Sequence, residues 1–171
     1  LIFISVTVYF IWRSNLPLVS PIALIDSLIG NSPAIRSKKI IYGFFPYWNL
    51  KYADRLNIQS LTHLAYFAVD LNPDGTINKK INLLESEPGW NKLKSKETGK
   101  LLYQSKLLGQ KTVIVITAMQ PEIIEGILSS PENTRTAINS IMAVYKDFGF
   151  DDINIDFEYV SVGNKTLRDN F

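Results

Sequence analysis

The 171-residue chain contains no cysteine. That excludes a disulfide framework, a thiol nucleophile and a thiolate zinc site. It contains one histidine, His63. A histidine-rich metal site is thereby excluded, and a serine–histidine triad would have no imidazole to spare. Charge of one sign is also lacking. Eighteen basic and sixteen acidic residues leave a net charge of +2, with no concentrated basic patch, so nucleic acid is not an expected partner. No internal repeat is found. What remains is a globular composition, 46% hydrophobic and 20% charged, that excludes wholesale disorder and a polytopic membrane protein. Acid–base chemistry in such a chain falls to carboxylates.

One apolar run stands out. Residues 1–12 (LIFISVTVYFIW) carry no charge. Twelve helical residues reach only ~18 Å against ~30 Å of bilayer hydrocarbon, so a full span needs another turn or two before Leu1. Tyr9 and Trp12, just before Arg13, suit an interfacial aromatic belt. The expectation is a partial transmembrane anchor or signal segment over residues 1–13. A buried element of a soluble core is the alternative. Residues 14–37, with Pro17, Pro21 and Pro33 and several serines, read as a linker. The domain is expected over residues 38–171. Setting aside Arg13, Arg36 and Asp26 leaves it 16 basic and 15 acidic residues, close to neutral. The expected location is extracytoplasmic, membrane-anchored, or secreted if the first segment is cleaved. The chain starts on leucine and stops on Phe171, and the expectation is a piece of a longer protein.

Four β-prone runs organise the domain: Ile40–Phe45, Leu61–Val69, Thr112–Thr117 and Ile153–Phe157. TVIVIT is a continuous β-branched run, suited to a strand covered on both faces of a parallel sheet. Between the second and third runs, Gly89 and Gly99 are expected to break any long helix, leaving one from about Lys100 to Leu108. Ser130-Pro131-Glu132 starts a helix whose apolar positions continue to Phe148, and Gly149 stops it. Strands separated by helical segments argue for an α/β fold with βα units.

Chemistry concentrates in Gly149–Tyr159 (GFDDINIDFEY). Side chains alternate along a strand, so Asn154, Asp156 and Glu158 share one face and Ile153, Ile155 and Phe157 the other. Carboxylates stacked inside a sheet or barrel repel and lose hydration, which costs stability unless protons and hydrogen bonds are shared. Three readings are open from the pattern: a catalytic face, a solvated acidic face, or a calcium loop. The last lacks the required glycine.

The same stretch resembles the fourth-strand signature D-x-x-D-x-D-x-E of glycoside hydrolase family 18, the chitinase-type barrels. Asp151, Asn154, Asp156 and Glu158 occupy its polar positions. Tyr42-Gly43-Phe44-Phe45 with Trp48 resembles the first strand, and Leu61–Phe67 followed by Asp74-Gly75 the second. The chain departs in having Asp152 and Phe157 where the family commonly has glycine and tryptophan. Its third strand ends Ile116-Thr117-Ala118-Met119 rather than in a serine-x-glycine-glycine motif. These departures lean toward divergent bacterial members, including those acting on peptidoglycan.

The resemblance implies the N-terminal half of a (β/α)8 TIM barrel, about four βα units. It implies hydrolysis of β-linked N-acetylglucosamine polymers, with the substrate's own acetamido group as nucleophile. Glu158 would be the general acid, Asp156 would hold the acetamido group, and Asn154 and Asp151 would orient Asp156. Phe44, Trp48, Tyr66 and Tyr159 are candidate sugar-binding aromatics. No cofactor is implied, and the implied partner is an N-acetylglucosamine-containing polysaccharide. The alternatives are a non-catalytic carbohydrate-binding relative and an unrelated metal-dependent βα enzyme. A half barrel leaves two sheet edges unpaired, so the 171-residue piece alone is expected to be inactive and poorly stable. His63 is expected to be structural, and Trp90 either a distal sugar platform or a loop anchor.

Overall fold

The computed structural model describes residues 39–158, 169 and 170. The segments 1–13 and 14–37 and Tyr159 lie outside the described residues.

Four strands form one sheet: β1 (Tyr42–Pro46), β2 (His63–Asp70), β3 (Lys111–Ala118) and β4 (Asp152–Phe157). Their order in the sheet is their order in the chain, and every pairing is parallel. Parallel neighbours need a crossover: 3-10 turns connect β1 to β2, α1 (Pro88–Leu93) and α2 (Lys96–Leu107) lie between β2 and β3, and α3 (Pro121–Leu128) and α4 (Pro131–Phe148) between β3 and β4. A 3-10 segment, Tyr47–Arg55, follows β1 directly. After Lys111 every residue of β3 is buried, as its unbroken β-branched run requires of a central parallel strand.

The helices cover one face of the sheet. Tyr66, Val69, Ile114 and Ile116 pack there against Leu102, Ile124, Ile127, Ile141 and Val144. Phe45, Leu50, Leu64 and Leu101 form a second cluster beneath β1. The opposite, inner face carries a smaller group: Ala65, Ala68, Val113 and Val115, with Phe67 against them. On β1 the inner-face residues Tyr42 and Phe44 are exposed.

Helix α4 starts and stops where its sequence signals lie. Ser130 Oγ accepts from Asn133 N at 3.3 Å, Pro131 opens the first turn, and Gly149 ends the helix at φ 66°. Two expectations need correction. Gly99 does not break a helix: α2 begins at Lys96, capped by Ser95, and runs through it. A side chain at 99 would meet nothing within 4 Å, so the glycine faces open space. Its intrinsic cost of ~1 kcal/mol is offset by burial of Leu101 and Leu102 nearby. Helix α3 is also absent from the reading of the sequence. Its Gly126 lets it press on the preceding turn, because a Cβ there would come within 2.7 Å of the Pro73 carbonyl. Asn133 Nδ2 donates to both the Pro73 and Gly126 carbonyl oxygens and stitches this corner together.

Candidate active site

The inner face can be read from the N-terminal to the C-terminal end of the strands. At the N-terminal end Lys111 Nζ lies 3.1 Å from Asp152 Oδ2, and His63 Nε2 lies 3.8 Å from the same oxygen. The other ring nitrogen of His63 is 2.9 Å from Thr62 Oγ1. Tyr42 stacks on the imidazole with centroids 5.6 Å apart. These contacts make His63 part of the scaffold, at the end of the sheet away from Glu158.

Asp151 belongs to the same end, and its expected role is corrected here. Its Oδ2 accepts from Thr112 N and Thr112 Oγ1, both at 2.8 Å. It therefore ties the start of β4 to β3. Burial alone would raise its pKa, but the two Thr112 bonds, with Lys106 and Lys111 nearby, outweigh burial and hold the carboxyl below its ordinary value. Five residues of strand, about 16 Å, separate it from Asp156, so it does not orient that side chain.

Asn154 sits mid-strand, in register with Val115. Its Nδ2 donates to the Tyr42 hydroxyl at 3.5 Å. Partial burial raises the Tyr42 pKa; the Asn154 bond lowers it and the charge of Asp152 raises it further, with a net upward shift. The Tyr42 hydroxyl is thus neutral at neutral pH, and the pair links β4 to β1 across the open face.

At the C-terminal end Asp156 is in register with Thr117, and Thr117 with Asp70. The Thr117 hydroxyl donates to Asp70 Oδ1, not to Asp156. Asp156 is half-buried and Glu158 is exposed just beyond the strand. Glu158 N continues the ladder by donating to the Ala118 carbonyl at 3.1 Å. Asn154, Asp156 and Glu158 therefore rise along one face, with the glutamate at the mouth. In βα barrels, reactive groups sit at this end of the strands. Among the described residues no group of three histidine, aspartate or glutamate side chains is arranged to hold a metal ion.

Aromatic rings gather at the same end of β1. Phe44 and Trp48 are each more than half exposed, and both meet Phe67 edge-on, at 6.3 and 6.1 Å between centroids. Tyr47 lies edge-on to Trp48 at 5.0 Å. Tyr66 does not join them. It is 1% exposed on the helix-covered face, and its hydroxyl donates to the Gly89 carbonyl at 2.8 Å. Burial, then the charge of Glu87, pushes its pKa well up. Its place in the core follows from register: Ala65 and Phe67 take the inner positions on β2, so Tyr66 points outward.

Phe67 and Asp70 are inner-face residues that the sequence reading missed. An irregularity in the β2–β3 register between Tyr66 and Val69 inserts one residue on β2. Strict alternation from His63 predicts Val69 inside and Asp70 outside; the extra residue reverses that. The hydrophobic pattern alone carries no mark of this shift.

No protein-family model matches the sequence, and no curated protein matches it. Solved structures do match. A chitinase from Bacteroides thetaiotaomicron superposes with a TM-score of 0.61 at 19% identity, over 75% of this chain and 38% of that one. The fold is that of part of a chitinase barrel. A glycoside hydrolase family 18 chitinase from Cycas revoluta, solved with (GlcNAc)3, gives a TM-score of 0.60 at 21% identity, over 78% of this chain and 37% of that one. The spore cortex-lytic enzyme of Bacillus cereus gives 0.57 at 22% identity, over 75% and 30%. The chain spans little more than a third of the length of these chitinases, and at such identities the likeness is one of fold. The expected likeness to a partial family 18 barrel is met on that level.

Proposed function

We propose that this chain is part of a glycoside hydrolase that cleaves β-linked N-acetylglucosamine polymers, chitin, peptidoglycan or a related glycan, by substrate-assisted retaining hydrolysis. The observation that carries the reading is the ascent of Asn154, Asp156 and Glu158 along one inner face of a chitinase-like sheet. Glu158, at the mouth, protonates the glycosidic oxygen as the bond to the leaving sugar breaks. The carbonyl oxygen of the substrate's acetamido group attacks the anomeric carbon and forms an oxazolinium ion. Asp156 holds the acetamido N–H and stabilises that charge. Water then opens the ring, giving up its proton to Glu158, which returns to its starting state. Asn154, tied to the Tyr42 hydroxyl, stands two residues before Asp156 on the same face. Phe44 and Trp48 offer apolar ring faces to the C–H faces of sugars.

The match to a chitinase solved with (GlcNAc)3 and to a spore cortex-lytic enzyme supports an N-acetylglucosamine-containing glycan as the substrate class. An extracytoplasmic location, with residues 1–13 as anchor or signal, is part of the same proposal and fits a polymeric substrate outside the cell. Among the described residues no helix is long and apolar enough to cross a membrane.

Glu158→Gln in the full-length protein tests the assignment. Hydrolysis of N-acetylglucosamine oligomers should fall at least a thousandfold while calorimetric binding persists. Unchanged turnover would remove Glu158 from the mechanism. Binding without turnover in the parent protein would make the domain a carbohydrate-binding module.

A further inference from the structure

We propose that the hairpin tip between Lys80 and Ser86 inserts into the surface of a lipid membrane carrying anionic headgroups. The chain after β2 forms a narrow antiparallel arm, with Lys80 bridged to Ser86. Glu87 N donates to the Lys79 carbonyl at 3.1 Å, and Ile81 N to the Glu85 carbonyl at 2.9 Å. Inside the tip Asn82 Oδ1 accepts from Leu84 N at 2.9 Å and from Glu85 N at 3.0 Å. These bonds fix the turn by its own polar groups. They leave the adjacent side chains of Leu83 and Leu84 pointing out, 92% and 99% exposed, with Ile81 exposed beside them.

Single exposed apolar residues are ordinary, but three on one five-residue tip form an apolar point. The shape decides among occupants. A stable protein interface buries about 1,200–2,000 Å² with matched contours, far more than a convex tip of three side chains presents. A lipid surface needs no matching concavity.

Charge agrees with a lipid surface. Lys79 and Lys80 lie on the first arm behind the leucines. Lys79 Nζ and Lys94 Nζ sit 4.9 and 5.5 Å from the centroid of the half-buried Trp90 ring. Glu85 is the acid of the tip, and its carboxylate receives Asn82 Nδ2 at 3.4 Å. Glu87 is turned inward and caps α1 through Gly89 N and Trp90 N. Apolar side chains at the point, with tryptophan and lysine behind, match the layering of hydrocarbon and headgroups. The proposal rests neither on residues 1–13 nor on the glycosidase reading.

The absence of cysteine makes the test specific. Leu84→Cys in the full-length protein, with any cysteine outside these 171 residues replaced by serine, takes an environment-sensitive fluorophore. Tyr103→Cys, at an exposed position on α2, is the reference. With phosphatidylserine–phosphatidylcholine vesicles the label at 84 should shift to the blue and be quenched by brominated acyl chains, while the label at 103 should not. Adding Lys79→Glu and Lys80→Glu to Leu84→Cys should weaken the response about tenfold or more. No quenching at 84, or equal quenching at both positions, overturns the proposal. So does a shift that grows with protein concentration without vesicles, which would identify a second copy as the occupant. An equal response on pure phosphatidylcholine overturns the requirement for anionic headgroups.

Discussion

Strand β4 has acids at both ends, and the two ends are treated in opposite ways. Asp151 and Asp152, at its start, are met by fixed partners: two donors from Thr112 on the first, Lys111 and His63 beside the second. Asp156 and Glu158, at its finish, have no side-chain hydrogen bond or ion pair to another described residue. Even Thr117, level with Asp156, gives its hydroxyl to Asp70. The sequence spaces these four acids over eight residues and does not distinguish them by type. The fold does. A carboxylate supplied with donors by a neighbouring strand is committed to holding strands together; among the described residues none supplies them to Asp156 or Glu158.

That contrast predicts a separation of effects. The largest after Glu158→Gln is Asp156→Ala, expected to cut kcat/KM on N-acetylglucosamine oligomers by at least about a hundredfold in the full-length protein, with little change in melting temperature. Asp151→Ala should leave kcat within about twofold. Equal losses from the two would merge the ends again. Next comes Trp48→Ala, which should raise KM about tenfold and leave kcat unchanged, because a stacking ring contributes to ground and transition state alike. A fall in kcat instead would place Trp48 at the reacting sugar.

The smaller effects fall on stability. Asp151→Asn should cost about 1 kcal/mol, a drop of about 4 °C in melting temperature, since the side chain is exposed and its bonds compete with water. It also carries a pH signature. The pKa of Asp151 is depressed in the folded chain, so its stabilisation is complete above the unfolded value and is lost as pH falls through the folded one. Chemical denaturation below about pH 4 should weaken the parent protein more steeply than Asp151→Asn. Parallel curves would mean that Thr112 does not hold the ion. Smallest of all is Lys111→Met, within about 0.5 kcal/mol by the same measurement, because its pair with Asp152 is open to solvent.

Much of this was legible in the residues. Strands β1 to β4 stand where apolar, β-branched runs mark them, and α4 keeps its serine cap and glycine stop. The shared face of Asn154, Asp156 and Glu158 follows from alternation alone, since β4 is regular. What escaped had physical causes beyond local pattern. Helix α2 tolerates Gly99 because neighbouring leucines bury against the sheet. Helix α3 relies on Gly126 closing onto Pro73, a contact far apart in sequence. Val69 and Asp70 exchange expected faces because one extra residue on β2, between Tyr66 and Val69, reverses the alternation beyond it. Asp151 matches a motif position, yet its location at the start of β4 gives it to Thr112.

On the proposed mechanism Glu158 and Asp156, two residues apart at one end of one strand, suffice for hydrolysis because the substrate brings its own nucleophile. The most direct test is the anomeric form of the first product, followed by proton NMR as the full-length protein cleaves an N-acetylglucosamine oligomer. Two displacements at one carbon predict the β anomer first, drifting toward the equilibrium mixture afterwards. The α anomer appearing first would mean direct attack by water and would contradict the account.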